Sequence, residues 1–147
     1  MILIAHRGNL NGPNPQEENK PEYIQKAIGA GYDVEVDVWM NNDRRLFLGH
    51  DNPKYEVSYD QLLMWRNHAW FHAKNLNILN EMIHIGGFNV FWHETDKFAL
   101  TSEGFIWTYP GQDVTPNSVI VQLGRPNRFL KGKVRGICTD YAAEHEG

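Results

Sequence analysis

The links between apolar segments change character halfway along this chain, and that change limits what it can fold into. Up to Gly87, strand-like runs alternate with stretches long enough for helices. Ile2-Leu3-Ile4-Ala5 reads as a first strand. Asn19 with Glu22 resembles a capping box, and Tyr23, Ile24, Ala27 and Ile28 form an apolar stripe that stops at Gly29 and Gly31. A strand over Asp33 to Met40 and another over Arg45 to Gly49 follow. A second helix, opened by Ser58 and Gln61, sends Leu62, Leu63 and Trp65 toward the core. A strand over Trp70 to Asn75 leads to a third helix bearing Leu76, Leu79, Met82 and Ile83 and closed by Gly86-Gly87. This alternation predicts parallel βαβ units.

Beyond Gly87 the strands continue and the helices stop. Phe88 to His93, Phe105 to Tyr109, Ser118 to Leu123 and Gly136 to Tyr141 read as strands, with a short one at Phe98 to Thr101. The links between them, such as Gly111-Gln112-Asp113 and Gly124-Arg125-Pro126, are too short and too turn-rich for crossover helices. At 147 residues the length is that of a single domain, residues 1–147.

The chemistry-bearing residues sit at strand ends. Residues two apart on a strand point the same way, so Glu35 and Asp37 can converge on one cation while Val34, Val36 and Val38 face the opposite layer. Two carboxylates suit a hard-oxygen site for Mg2+ or Ca2+. The bland reading is a solvated strand face, but a strand of a parallel sheet is covered on both faces, and buried carboxylates need a cation or the guanidinium of Arg7. His6 ends the first strand and His50 follows the fourth apolar run. Histidine titrates near neutrality, so one ring can serve as base and the other as acid. Arg7 offers a planar fork to two phosphate oxygens. Asp51 can orient an imidazole, or simply belong to an Asp-Asn-Pro turn.

The ordered set His6-Arg7-Gly8, Glu18-Asn19 with Pro21, Glu35-Val36-Asp37-Val38 and His50-Asp51 resembles the glycerophosphodiester phosphodiesterase family. That family's pattern runs roughly H-R-G, P-E-N-T, E-x-D-V and H-D. Ile106-Trp107-Thr108 and Gly136-Ile137-Cys138-Thr139-Asp140 weakly extend the resemblance to the end of the chain. It implies a TIM barrel, yet such barrels usually need about 250 residues. The expected fold is therefore α/β: a compact, truncated TIM-like (β/α) barrel, closed or nearly so, with helices in its first half and mostly loops between late strands. Loop aromatics or a second subunit would cover the bared strand faces, and an open half-barrel that dimerises is the alternative.

By the same resemblance, His6 and His50 are the acid/base pair, Arg7, Lys74 and Trp107 contact the phosphate or substrate, and Glu35 and Asp37 hold metal. The family has a glutamate ligand two positions before a lysine; here His72 precedes Lys74. His72 can ligate as neutral imidazole, which favours softer metals, or the cation keeps fewer protein ligands and more water, as Mg2+ tolerates. Glu18, Asp51, His93 and Glu94 are further candidates, whereas His68, His84 and His145 have no such context. The implied function is metal-assisted hydrolysis of a small phosphodiester, an activity of lipid metabolism. Two others stay open: a metal-independent, phospholipase-C-like phosphodiesterase, and a phosphate-ester binding module without turnover.

Composition narrows the partners. A net charge of -4 argues against general nucleic-acid binding. The acid-free basic run Arg125, Arg128, Lys131, Lys133 and Arg135 is either a solvated loop or a lure for anionic substrate. Cys138 is the only cysteine, and no apolar stretch reaches membrane-spanning length. With a strand starting right after Met1, the expected location is the cytoplasm.

Overall fold

The strand that organises the molecule is β2 (Asp33–Met40), whose alternation of valine and carboxylate separates two environments. The computed structural model describes residues 1–126 and 128–145, the side chain of Arg128 excepted. Val34, Val36 and Val38 are fully buried beneath α1 (Pro21–Gly29), α2 (Tyr59–Trp65) and α3 (Leu76–Ile85). They pack there with Ile24, Ala27, Leu62, Trp65, Ile78 and Met82. Each such aliphatic side chain stabilises the fold by about 1.5–3 kcal/mol relative to exposure.

Around β2 lies a mixed sheet. β1 (Ile2–His6), β5 (Ala69–Ala73), β6 (Asn89–Phe91), β8 (Ile106–Thr108), β9 (Ser118–Val121) and β10 (Gly136–Thr139) join it in a parallel run ordered β6-β5-β2-β1-β10-β9-β8. Past its contact with β1, β2 pairs antiparallel with β3 (Leu46–Leu48), which carries β4 (Tyr55–Val57). β7 (Phe98–Leu100) is the antiparallel edge beyond β8. Three-residue β4 is too short to show alternation in sequence and was not anticipated.

Three expectations are corrected. The sheet is open, not closed or nearly closed: among the described residues no ladder joins β6 to β8. The Ser102 amide donates to the Val90 carbonyl at 2.8 Å and the Val90 amide to Ser102 Oγ at 2.9 Å, so the backbone groups that β8 would need are occupied. Phe91 and Trp107 instead meet as side chains, their rings 4.3 Å apart.

Asn19 does not cap α1. The cap position is Lys20, without a side-chain bond, and Asn19 turns inward to Asp37. A cap is worth about 1 kcal/mol, less than the several kcal/mol of an unsolvated, unpaired charge. Ser58 and Gln61 do form the expected capping box.

On α3 the core residues are Ile78 and Met82, while Leu76 and Ile83 are exposed. Among the described residues no α-helix follows β6, as expected; only 3-10 turns at Arg128–Leu130 and Ala142–His145 occur, and residues of the connections cover the late strands. These are aliphatic, with Val114, Leu130 and Val134 packing on Ile120 and Ile137. No helix among the described residues is long and apolar enough to cross a membrane.

Candidate active site

Parallel pairing assembles the site. Register sets His6 beside Glu35 and Asp37 beside His72, so the ends of β1, β2 and β5 present four polar side chains to one face. Trp70, Phe91, Trp107 and Cys138 of the apolar cluster line the same face lower down. Over the polar residues lies a cavity of ≈ 260 Å³ that also takes in Arg7, His50, His93, Glu94, Trp107 and Tyr109.

The chain leaves β1 through a left-handed residue, Arg7 at φ 55°, with Asn19 likewise at φ 68°. Such conformations are costly for non-glycine residues and persist where surrounding bonds enforce them. Here the Arg7 amide donates to the Glu35 carbonyl at 3.0 Å, and the Asn19 amide to the Arg7 carbonyl at 3.1 Å. Gly8 follows at φ 92°, where a Cβ would stand 2.7 Å from the Tyr23 ring. The Arg7 guanidinium is thereby held 3.2 Å from Glu18 and 3.5 Å from Asp37. Its Nε has no hydrogen-bond partner.

His6 Nδ1 lies 2.8 Å from Asp140 Oδ1. Asn9 Nδ2 donates to the same oxygen at 2.9 Å, and the Tyr23 hydroxyl donates to Asn9 Oδ1 at 2.8 Å. Burial would raise the Asp140 pKa, but the bonds from His6 and Asn9 outweigh it and hold the carboxyl below its usual value. An ionised carboxylate only accepts, so Nδ1 carries the proton and Nε2 faces the cavity, 3.8 Å from Glu35 Oε1. His50 repeats the pattern more loosely at the rim, with Nδ1 2.8 Å from the exposed Asp51. Asp51 thus contacts the imidazole, at a bend of the chain.

Glu35 and Asp37 share an almost water-free environment but titrate apart. Burial, reinforced by the Asp37 charge, pushes Glu35 well above the ordinary carboxyl range, against the pull of Arg7 and Lys74. Burial also opposes ionisation of Asp37, yet His72, Asn19 and Arg7 hold it at about 2. Asn19 holds it through two bonds: its Nδ2 donates to Asp37 Oδ2 at 2.9 Å and its Oδ1 accepts the Asp37 amide at 3.1 Å. Even so, Asp37 Oδ1 and Glu35 Oε2 are buried without a hydrogen bond. Glu35, Asp37 and His72 also form a group in which one ligand-type atom from each residue lies within 4.8 Å of the others. Orphaned carboxylate oxygens beside an imidazole fit a divalent cation.

Asn19→Ala should lower unfolding stability by about 1–3 kcal/mol, because it strips a buried carboxylate of its best donor. Urea denaturation at neutral pH reads this, and an unchanged midpoint would show that Asn19 is dispensable to Asp37.

The other candidates are placed as follows. Glu18 lines no part of the central cavity but orients Arg7 and accepts the Asn14 amide at 2.7 Å. Trp107 is a buried wall against Phe91. His93 lines the cavity with its Nε2 turned 2.6 Å from the Asp96 carbonyl. Lys74 is half-buried and does not line the cavity. Of the basic run, Arg125, Lys131, Lys133 and Arg135 stay off the cavity, Arg125 pairing with Glu144 at 2.7 Å and Arg135 lying over Phe105, while the Arg128 side chain lies outside the described residues. Sequence reasoning missed Asn9 and Asp140 as site residues. Their only signals were the Thr-Asp pair after the last strand and an asparagine three residues past His6.

No protein-family model matches this chain, and neither does any curated protein.

Proposed function

We propose that the chain is a phosphoric diester hydrolase acting on a small glycerophosphodiester or related alcohol-phosphate ester. The scaffold is read as a truncated TIM-like (β/α) barrel left open between β6 and β8. The reading rests on one observation above others: one cavity gathers two histidines, each with Nδ1 against a carboxylate, together with Arg7 and a buried carboxylate pair with orphaned oxygens. The same residues carry the motif resemblance to glycerophosphodiester phosphodiesterases, which agrees with this reading.

A phosphodiester needs its charge neutralised, a base for the attacking oxygen and an acid for the departing one. His6, backed by Asp140, is the base. Its Nε2 takes the proton of a substrate hydroxyl adjacent to the ester, and Asp140 stabilises the resulting imidazolium. As that oxygen bonds to phosphorus, the bond to the leaving alcohol breaks, and protonated His50 delivers a proton from Nε2 to the departing oxygen. The first products are a cyclic phosphate and a free alcohol. Water then opens the ring: His50, now neutral, takes a proton from the attacking water as its oxygen bonds to phosphorus, and His6 returns its proton to the ring oxygen whose bond to phosphorus breaks, which restores both imidazoles. Arg7 binds the non-bridging oxygens through guanidinium nitrogens on its cavity side. Glu35, Asp37 and His72 would hold a divalent cation, which would supply the remaining positive charge.

The test is phosphorus NMR of a panel of glycerophosphodiesters with the purified chain, with and without chelator. The expected result is loss of diester, appearance of a cyclic phosphate and arrest by chelator. Turnover that survives exhaustive chelation would move the assignment to a metal-independent phospholipase-C-like reaction. Binding without any turnover across the panel would reduce the chain to a phosphate-ester binding module.

A further inference from the structure

Within the cation site proposed above, we propose that His72 Nδ1 is a direct ligand and that it turns the site toward divalent transition ions such as Mn2+, Co2+ or Zn2+, away from Mg2+ and Ca2+. The inference rests on Glu35, Asp37 and His72 being a cation site, but not on the reaction assigned to it.

The His72 ring has one settled nitrogen. Nε2 lies 2.9 Å from the His93 carbonyl, a group that only accepts, so Nε2 carries the proton. In the neutral ring, Nδ1 then presents a lone pair, 3.1 Å from Asp37 Oδ1. Both groups are well buried, with side-chain exposures of 16% and 1%, so water does not separate two acceptors at that distance. A positive centre between them is the arrangement that removes the repulsion.

A proton on Nδ1 is one such centre, and with it His72 would help to keep Asp37 ionised when no cation is bound, but it fits the geometry poorly. Despite the short distance, Asp37 Oδ1 receives no hydrogen bond, so the oxygen stands well off the axis along which Nδ1 would donate. A shared cation requires that offset. For bonds of about 2.1–2.2 Å, adjacent ligands at right angles are separated by about 3.0–3.1 Å, and each ligand lies about 45° off the other's bond to the metal.

The ring is also fixed from behind. It stacks on Phe91 at 5.0 Å with planes 12° apart, and the Nε2 bond to a backbone carbonyl is the outer-shell support that metal-bound imidazoles commonly have. His93 contributes this carbonyl while its own ring is turned to Asp96.

Donor chemistry then favours one class of ion. Ca2+ takes six to eight oxygens, whereas Asp37 Oδ2 is already committed to Asn19 and faces Arg7, leaving Asp37 one oxygen to give. An imidazole nitrogen suits borderline transition ions better than hard ones.

Almost any mixed nitrogen–oxygen site binds Zn2+ more tightly than Mg2+, so wild-type affinity alone does not decide the matter. The deciding experiment compares wild type with His72→Glu after chelator stripping, by calorimetric titration with Co2+, Zn2+, Mg2+ and Ca2+. The ratio of Co2+ to Mg2+ affinity should fall by 10-fold or more in His72→Glu. An unchanged ratio would overturn the proposal. Proton NMR of the Co2+-loaded wild type is a second readout that needs no variant. A strongly shifted, exchangeable imidazole N–H that broadens away in deuterated water is expected from Nε2–H of a ring bound through Nδ1; its absence counts against ligation. Neither readout involves turnover. A chain that binds Co2+ through His72 yet leaves every diester intact would defeat the hydrolase reading alone, and one that hydrolyses diesters without His72-dependent selectivity would defeat this inference alone.

Discussion

Replacing His6 by alanine should lower turnover of a good phosphodiester substrate by about 10²-fold or more, the usual scale for losing positioned acid or base assistance. The ring's free nitrogen is defined by the acceptor on its other side, Asp140 at 2.8 Å. His50→Ala should cost a comparable factor with substrates whose leaving alcohol is poorly acidic. It should cost much less with an activated leaving group such as p-nitrophenol, which departs without a proton. His6→Ala should show no such rescue, because attack is still uncatalysed. Steady-state rates on paired natural and activated diesters check both. If rescue appears in His6→Ala and not in His50→Ala, the acid and base assignments are reversed; near-wild-type rates in both variants would remove the histidines from the chemistry.

Glu35→Gln should abolish detectable turnover and yet raise the thermal midpoint of the metal-free protein by several degrees at pH 7. Burial and the neighbouring Asp37 charge raise the Glu35 pKa in the folded state. The sign follows from linkage. A carboxyl whose folded pKa lies above its unfolded value stabilises fully below the unfolded value, and that contribution is lost as pH rises toward the folded one. At pH 7 the wild type has therefore lost stability that the uncharged amide retains, and below about pH 4 the two proteins should melt alike. A saturating divalent cation should reverse the order, since ligand stabilises only the chain that binds it, by about 2.7 kcal/mol at a hundredfold excess over Kd. Calorimetric scans from pH 4 to 8, with and without cation, test this. A variant less stable than wild type in chelator would mean that Glu35 is a structural residue, with its charge satisfied inside the fold.

What the sequence determined by itself was local and periodic. The valine–carboxylate alternation of β2 already put Glu35 and Asp37 on one face, because the period of a strand is independent of its neighbours. Ser58 with Gln61 marked the start of α2, because a capping box closes within four residues. The missing late helices were legible as links too short to hold them.

Tertiary structure decided whatever joins distant positions. Asp140 reaches His6 from 134 residues away, and only the parallel pairing of β10 with β1 brings them together. Asn19 had a local use as a helix cap and was taken instead by Asp37, because desolvating a carboxylate costs more than an uncapped helix end. The same logic settles His72: its identity could be read in the chain, but which nitrogen faces Asp37 depends on the His93 carbonyl, 21 residues on. The sheet stays open because Ser102, in the turn after β7, takes both backbone groups of Val90 that a β6–β8 ladder would have used.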